Sequence, residues 1–405
     1  MIDFSDNALS DCKWLVGSEG AKWLAEVSDW TDPTLQQLGR LRKSISPERA
    51  ALIVQQVELR RRGVQKFGPL AGEMFFTDLA LQQASDRWIA AYKASQFPAG
   101  ELILDYCCGI GGDLLGFGAR GPVTGWDLAP VMAVFAEANL QAWQCQAESH
   151  VLVGAAEDHP PDTGQAWHLD PDRRTEGNRS TNPQWHRPDE ETILDWLDNF
   201  PRGSVKLAPG AKLAPVWEDA AELEWVSRGR ECRQLVAWGS GLGKSPGKRR
   251  ATVVSEHLDN ARGGSFVGDP SELSTLAATV GEFIYDCDPA VRAAGLTGAL
   301  AQELGCEALS HGASYLTSEQ SVSHPLVTCF RVQEVWPFRV ADLVKLLRTR
   351  SIGELEIKTR GVTHRPEELR KRLKLSGDQR ATLLLTRQGN REIAILAQRS
   401  NEVSG

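Results

Sequence analysis

The sequence predicts an α/β fold: a parallel sheet covered on both faces by helices, with a helical domain before it and a small α+β domain after it. Three observations predict this. Short apolar runs alternate with helical stretches between residues 102 and 207. Ahead of residue 97 the apolar spacing is helical throughout. Beyond residue 331, strand-like runs flank one basic helix.

Taken in order, residues 1–97 read as a helical domain. Ser46-Pro47-Glu48 is a helix start: a capping hydroxyl, a proline where its missing donor does no harm, and an acid in the first turn. Ala51, Ile53, Val54, Val57 and Leu59 then form an apolar stripe, and Arg60-Arg61-Arg62-Gly63 is expected to close the segment. A second helix is expected through LALQQASDRWIAAYKAS, stopping near Phe97-Pro98-Ala99-Gly100. The first strand is Leu102-Ile103-Leu104, followed by a glycine turn and the helical LLGFGA. Val123-Thr124-Gly125-Trp126 is the next strand, and Ala129 to Trp143 the next helix. Val151-Leu152-Val153, Ala166-Trp167-His168-Leu169 and Val205-Lys206-Leu207 continue the series. Residues 98–282 therefore form the central domain, with a loop or hairpin tip at Gly239–Gly247. Residues 283–330 read as a connecting segment, and 331–400 as a domain in which ELEIKTRG and ATLLLTR…REIAILAQR flank the helix PEELRKRLKL.

A chain of 405 residues has room for two or three such domains. It has no run of roughly 20 apolar residues, so no membrane span is expected. Met1 to Gly17 lacks the basic start and apolar core of a secretory signal, and the eight cysteines form no CxxC pair. Neither a metal nor a disulfide framework is indicated, and a reducing cytoplasmic setting fits best. Between Arg331 and Ser400, 16 Lys and Arg stand against 8 Asp and Glu, a local +8 in a chain of net charge −8, so the remainder carries −16. This asymmetry has two readings: a polyanionic partner, or solvated helix faces.

The segment LILDYCCGIGGDLLGFGARGPVTGWDLAP carries the chemistry. An apolar strand ends in Asp105, a turn holds Gly109, Gly111 and Gly112, and a helix begins near Asp113. Glycines let the backbone pass close beside a ligand. Asp127 ends the second strand, where nucleotide-binding folds use a carboxylate to accept ribose hydroxyls. A nicotinamide site competes, but GxGxxG needs a small residue three places after its second glycine, and here Leu114 stands there. Asp105 also puts an acid where a pyrophosphate is not wanted; it suits the sulfonium and ammonium of S-adenosylmethionine.

DYCCGIGGDLLGFG resembles the first motif of class I S-adenosylmethionine-dependent methyltransferases, nearest in style to the trimethylguanosine synthase group. KFGPLAGEMFFTDLALQQAS resembles the segment capping the cofactor in that group, and IGELEIKTRGVTHRPEELRKRLKLSGDQRATLLLTR resembles a THUMP-like domain attached to a bacterial branch of it. The resemblance implies a Rossmann-like methyltransferase sheet, S-adenosylmethionine held by Asp105, Gly109, Gly111, Gly112, Asp127 and Leu128, and an adenine contact expected at Ala155 or Ala156, with the acids following at Glu157 and Asp158. It does not fix the substrate; RNA is the expected one, with the basic C-terminal segment gripping its phosphate backbone.

His168-Leu169-Asp170-Pro171-Asp172-Arg173-Arg174 resembles the Asp-Pro-Pro-aromatic motif of exocyclic-amine methyltransferases. The resemblance gives catalytic roles to Asp170, Pro171 and Arg173, with Arg173 replacing the aromatic ring. Its guanidinium can stack on a base or grip a phosphate, or form an ion pair with Asp172 or Glu176. Trp185 and Trp167 are alternative rings but fit core packing better. Lys206 stands on the edge where open sheets bind ligands and is a candidate there, though such a lysine is more often a packed stem with its head in solvent. Cys107 and Cys108 read as small packing residues inside the turn. Three functions remain open: an RNA methyltransferase, a methyltransferase acting on a protein or small molecule, or a non-catalytic RNA-binding scaffold.

Overall fold

The computed structural model describes residues 6–145, 148–172, 174–175, 178–179, 183, 186–245, 247–255, 263–312 and 315–400. The chain divides into two compact units, Met1–Glu222 with Val236–Pro246, and Leu223–Leu235 with Gly247–Gly405.

The first unit opens with α1 (Asp6–Val16), α2 (Ser18–Val27), α3 (Thr34–Leu41), α4 (Pro47–Phe67), α5 (Asp78–Gln83) and α6 (Arg87–Ser95). Ser46 caps α4 as its sequence predicts, its side chain accepting from Arg49 N at 3.3 Å with Pro47 in the first position. The helix does not close at Gly63, however. A Cβ there would lie 3.0 Å from the Phe76 ring and 3.2 Å from Ala71 Cβ, so this glycine is a packing contact and α4 runs on through it. The stop is Gly68, in the left-handed region at φ 66°, where glycine carries no Cβ penalty. The stretch expected as a single second helix is two. Asp86 breaks it, its carboxylate accepting from Trp88 N at 3.2 Å and Ile89 N at 3.1 Å to start α6.

The strands and helices alternate as predicted thereafter. They run β1 (Ile103–Tyr106), α7 (Leu114–Gly118), β2 (Val123–Asp127), α8 (Pro130–Ala142), β3 (His150–Val153), β4 (Ala166–Leu169), the small pair β5 (Arg174–Thr175) and β6 (Asn178–Arg179), α9 (Glu190–Asn199), β7 (Gly203–Leu207) and α10 (Val216–Ala220). In this unit the strands lie in the order β7-β4-β1-β2-β3, every neighbouring pair parallel. The chain winds outward from β1 through β2 to β3, then returns to β4 on the other side of β1. The carboxyl ends of β1 and β4 thus flank a topological switch point, where open α/β sheets bind ligands.

The second unit holds most of the hairpin β8 (Ala221–Arg228) and β9 (Glu231–Gly239), then β10 (Arg249–Val253) and β11 (Gly264–Gly268). Next come β12 (Phe283–Cys287), α11 (Pro289–Ala293), α12 (Thr297–Glu303), β13 (Glu307–Ala308), β14 (Leu316–Ser318), β15 (Val327–Pro337), α13 (Val340–Thr349), β16 (Ile352–Thr359), α14 (Pro366–Leu373), β17 (Gln379–Gln388) and β18 (Arg391–Arg399). Seven of these strands form one sheet, β13-β14-β12-β15-β18-β17-β16. Residues 283–330 therefore contribute β12, β13, β14 and the start of β15 to this sheet, with α11 and α12 between them. Along β17 and β18, Leu383, Leu385, Ala394 and Leu396 pack with Leu343, Leu347, Leu369 and Leu373 of α13 and α14. The alternate residues Leu384, Ile393, Ile395 and Ala397 pack on the opposite face with Ile284, Tyr315 and Phe330. Burial on both faces is why these strands read as unbroken apolar runs. No helix among the described residues is long and apolar enough to cross a membrane.

Candidate functional site

Asp105 sits at the switch point, beside Gly125 of β2 and His168 of β4 in the parallel register. It is 1% exposed, and neither carboxylate oxygen has a hydrogen-bond partner among the described residues. A buried, unpartnered carboxylate is costly. Burial, and secondarily the neighbouring Asp113 charge, push the Asp105 carboxyl well above its ordinary range. The following turn has left-handed backbone at Cys107 (φ 56°), Gly109 (φ 56°) and Gly111 (φ 89°). A Cβ at Gly109 would meet nothing within 4 Å, which leaves open space beside the turn. Gly112 answers a different need: its Cβ would stand 3.0 Å from Ser85 N and Ala84 Cβ, so the link between α5 and α6 can approach only a glycine. Burial, with the Asp127 charge next, raises the Cys107 and Cys108 thiols well above their usual range. Those thiols are packing groups, not nucleophiles.

Asp127 binds the turn to the end of β2. Its Oδ2 accepts from Gly109 N at 2.8 Å and its Oδ1 from Ala129 N at 2.9 Å. Each carboxylate oxygen can take a second donor, so the fixed group remains able to accept hydroxyls. Leu128, next in the chain, is 66% exposed. Trp126 stacks on His159 with ring centroids 3.9 Å apart. Glu157 lies exposed in a 3-10 turn, Ala156–Asp158, after β3.

Asp170 follows β4. Its backbone N–H donates to Tyr106 O at 3.1 Å, and its Oδ2 is paired with the Lys206 ammonium from the end of β7. Lys206 is not the solvated edge lysine expected of it. Its side chain is 4% exposed, with Nζ 3.4 Å from Gln83 O and 3.8 Å from Asp113 Oδ2. Pro171 is buried. Asp172 and Arg187 exchange backbone hydrogen bonds at 3.0 Å in both directions, closing the loop between them. Arg173, Glu176 and Trp185 lie outside the described residues. Trp167 is core, fully buried, donating to Phe200 O at 2.8 Å and packed edge-on against Trp196.

Beneath Asp105 and Asp170 lies a layer that sequence reading missed. Lys93 of α6 is fully buried and reaches Asp113 Oδ1 at 2.6 Å. Asp113 Oδ2 accepts from Ser85 Oγ at 2.7 Å and stands 3.6 Å from His168 Nε2. His168 Nδ1 meets Ser204 Oγ of β7 at 2.7 Å. Burial pushes the Asp113 carboxyl up but is outweighed by Lys93, His168 and Lys206, which hold it well below the usual carboxylate range. Burial, then the Lys93 charge, lowers the His168 imidazole, which stays neutral. Two ammonium groups, Lys93 and Lys206, therefore face three carboxylates, Asp105, Asp113 and Asp170. With all three ionised the cluster lacks one positive charge, and Asp105 is the carboxylate without a partner. This arrangement fits a cationic ligand carrying donors, such as the sulfonium and ammonium of S-adenosylmethionine, with Asp127 placed for ribose hydroxyls.

Two family models match the chain: a THUMP domain-like model over residues 327–399, and a domain of unknown function over residues 6–63. An uncharacterized S-adenosylmethionine-dependent methyltransferase of Mycobacterium tuberculosis strain CDC 1551 is 31% identical over 353 residues, 84% of this chain and 94% of that protein. Its counterpart in strain H37Rv matches equally. The crystal structure of a putative methyltransferase from Porphyromonas gingivalis W83 superimposes with a TM-score of 0.79 at 19% identity, covering 97% of this chain and 99% of that one.

Proposed function

This chain belongs to the S-adenosylmethionine-dependent methyltransferases, and from that premise we propose that its acceptor is the exocyclic amine of a base in RNA, held at Asp170-Pro171. One observation carries the reading. Asp170 stands at the same switch point as Asp105, its carboxylate fixed through one oxygen by Lys206 and its backbone N–H donating to the Tyr106 carbonyl.

When bound, S-adenosylmethionine supplies a methyl group already activated on a sulfonium. The protein has then to hold an acceptor lone pair in line with that methyl and exclude water. Asp105 accepts donors from the cationic end of the cofactor, and Asp127 accepts the ribose hydroxyls. Leu128 supplies an apolar wall beside Asp127, and Glu157 an acceptor for the adenine amine. On the acceptor side, Lys206 occupies Asp170 Oδ2 and leaves Oδ1 for one N–H of the amine. The Pro171 carbonyl takes the other, so the nitrogen lone pair is turned toward the methyl. Arg173 grips the flanking phosphate or stacks on the base. RNA as the carrier draws support from the excess of 16 cationic over 8 acidic residues between Arg331 and Ser400, and from the THUMP domain-like match there.

The test is transfer of tritiated methyl from S-adenosylmethionine to total RNA from a strain lacking this protein. Label is expected in one RNA class. Asp170→Ala abolishes it while calorimetric affinity for the cofactor persists. An unlabelled RNA pool with intact cofactor binding would instead assign the acceptor to a protein or small molecule.

A further inference from the structure

A second charged constellation lies wholly within the unit of Leu223–Leu235 and Gly247–Gly405. At its centre is Asp286 of β12, 1% exposed. Four cations converge on this one carboxylate. Arg230 Nη2 lies at 3.1 Å, Arg292 Nη1 at 3.2 Å, Lys358 Nζ at 3.4 Å, and Arg360 reaches both oxygens, through Nη2 at 3.0 and 3.3 Å and Nε at 3.2 Å. A carboxylate offers about four lone-pair sites, fewer than these contacts require. Glu356, 3.4 Å from Lys358, and Asp288, whose carboxylate acts on Arg230 and Arg292, are the other acids here, so four positive charges face three negative ones.

Packing this arrangement has a visible cost. Burial, and after it the repulsion of Arg360, pulls the Arg292 guanidinium below its ordinary pKa. Arg230 adopts left-handed backbone at φ 64°, beside Gly229 at φ 59°, in the two-residue turn between β8 and β9. Both residues of such a hairpin turn have positive φ, and L side chains avoid that region. The turn nevertheless holds an arginine, whose guanidinium is pinned by Thr328 Oγ1 as well as by Asp286. Neutralising Asp286 needs one cation. Three arginines and a lysine around it are a set of donors oriented by a buried carboxylate and still open to solvent, their side chains 39%, 20%, 25% and 15% exposed for Arg230, Arg292, Arg360 and Lys358.

We propose that this cluster is a phosphate-binding site, filled by a phosphate group of an RNA strand. Guanidinium forks match the paired oxygens of phosphate, and one phosphate oxyanion offsets the positive charge that the three acids leave. The choice of RNA as the source of the phosphate rests on the acceptor proposed above. The site itself does not.

Inorganic phosphate is the first probe, titrated calorimetrically into the full chain at constant ionic strength. The parent protein is expected to bind it. Arg230→Ala, on an exposed turn, and Lys358→Gln with Arg360→Gln are each expected to weaken it about tenfold or more, the loss of at least one charge-assisted contact. Arg40→Ala on the exposed face of α3 leaves it unchanged. Absence of phosphate binding, or equal binding in parent and Arg230→Ala, overturns the site. Short single-stranded RNAs are then used as competitors. Displacement by a 5′-phosphorylated strand alone identifies a terminal phosphate, and displacement by the 5′-hydroxyl strand as well identifies the backbone. Phosphate bound but displaced by neither strand keeps the site and overturns RNA as its occupant.

Discussion

In the proposed cofactor site, Asp105 concentrates the chemistry in one side chain. In the free protein, burial, followed by the Asp113 charge, raises its carboxyl well above the ordinary range, so it holds its proton more tightly than a solvated acid does. A cation favours the ionised form. S-adenosylmethionine binding is therefore expected to release a proton, with affinity rising as pH climbs through the raised free-protein value. Calorimetry in two buffers of different ionisation enthalpy reads the released proton directly. Asp105→Asn is expected to lose that release and to weaken binding roughly tenfold or more, since a hydrogen bond to a charged group contributes about 1.5–3 kcal/mol. A pH-independent affinity in the parent protein would count against this assignment. Asp105 and Asp127 were legible in the sequence because strand ends and glycine turns are local features. The partner of Asp170 was not: Lys206 lies 36 positions away and meets it only because β7 is laid beside β4.

At the scale of elements, α6 and α7 are joined by the buried pair of Lys93 and Asp113. Asp113 precedes α7 but makes no side-chain cap; its carboxylate goes to Lys93 and Ser85 instead. Removing one partner of such a pair leaves an uncompensated buried charge, at a cost of about 3–5 kcal/mol. Lys93→Met is expected to destabilise the protein by that order in urea unfolding. Lys93→Met with Asp113→Asn should recover much of the loss, and a double-variant loss equal to the sum of the Lys93→Met and Asp113→Asn losses would show the residues are not coupled. Because the Asp113 carboxyl is depressed in the folded state, its contribution is full above the unfolded pKa and disappears as pH falls below it. Helix interruption is the other lesson at this scale. Gly63 carries the signature of a stop yet lies inside α4, because what decides a glycine there is the approach of the Phe76 ring. Asp86 carries the signature of a cap and breaks a stretch that apolar spacing reads as continuous.

For the whole molecule, charge is the property that sequence distributes and structure resolves. Arg370, Lys371, Arg372 and Lys374 are exposed on or just after α14, so part of the basic excess is surface. Another part is folded inward around Asp286. Reversing those four exposed residues to glutamate is expected to weaken binding of single-stranded RNA and to lower the slope of log affinity against log salt by up to about 3, at roughly 0.7 per phosphate contact. Cofactor binding should be untouched. An RNA affinity unchanged in this variant, or insensitive to salt in the parent, would remove the C-terminal residues from any role in gripping RNA.

By itself the sequence determined the alternation of strands and helices, the glycine turn, the acids that end β1 and β2, and the basic C-terminal excess. Each is written in neighbouring residues through periodicity, turn chemistry or composition. Only the tertiary structure decided that Lys93, Asp113, His168 and Lys206 form one buried layer beneath Asp105 and Asp170, that residues 283–330 join the seven-stranded sheet, and that Arg230 meets Asp286. Those pairings depend on strand order and on packing across tens of residues, and the same residue types in another register would face solvent.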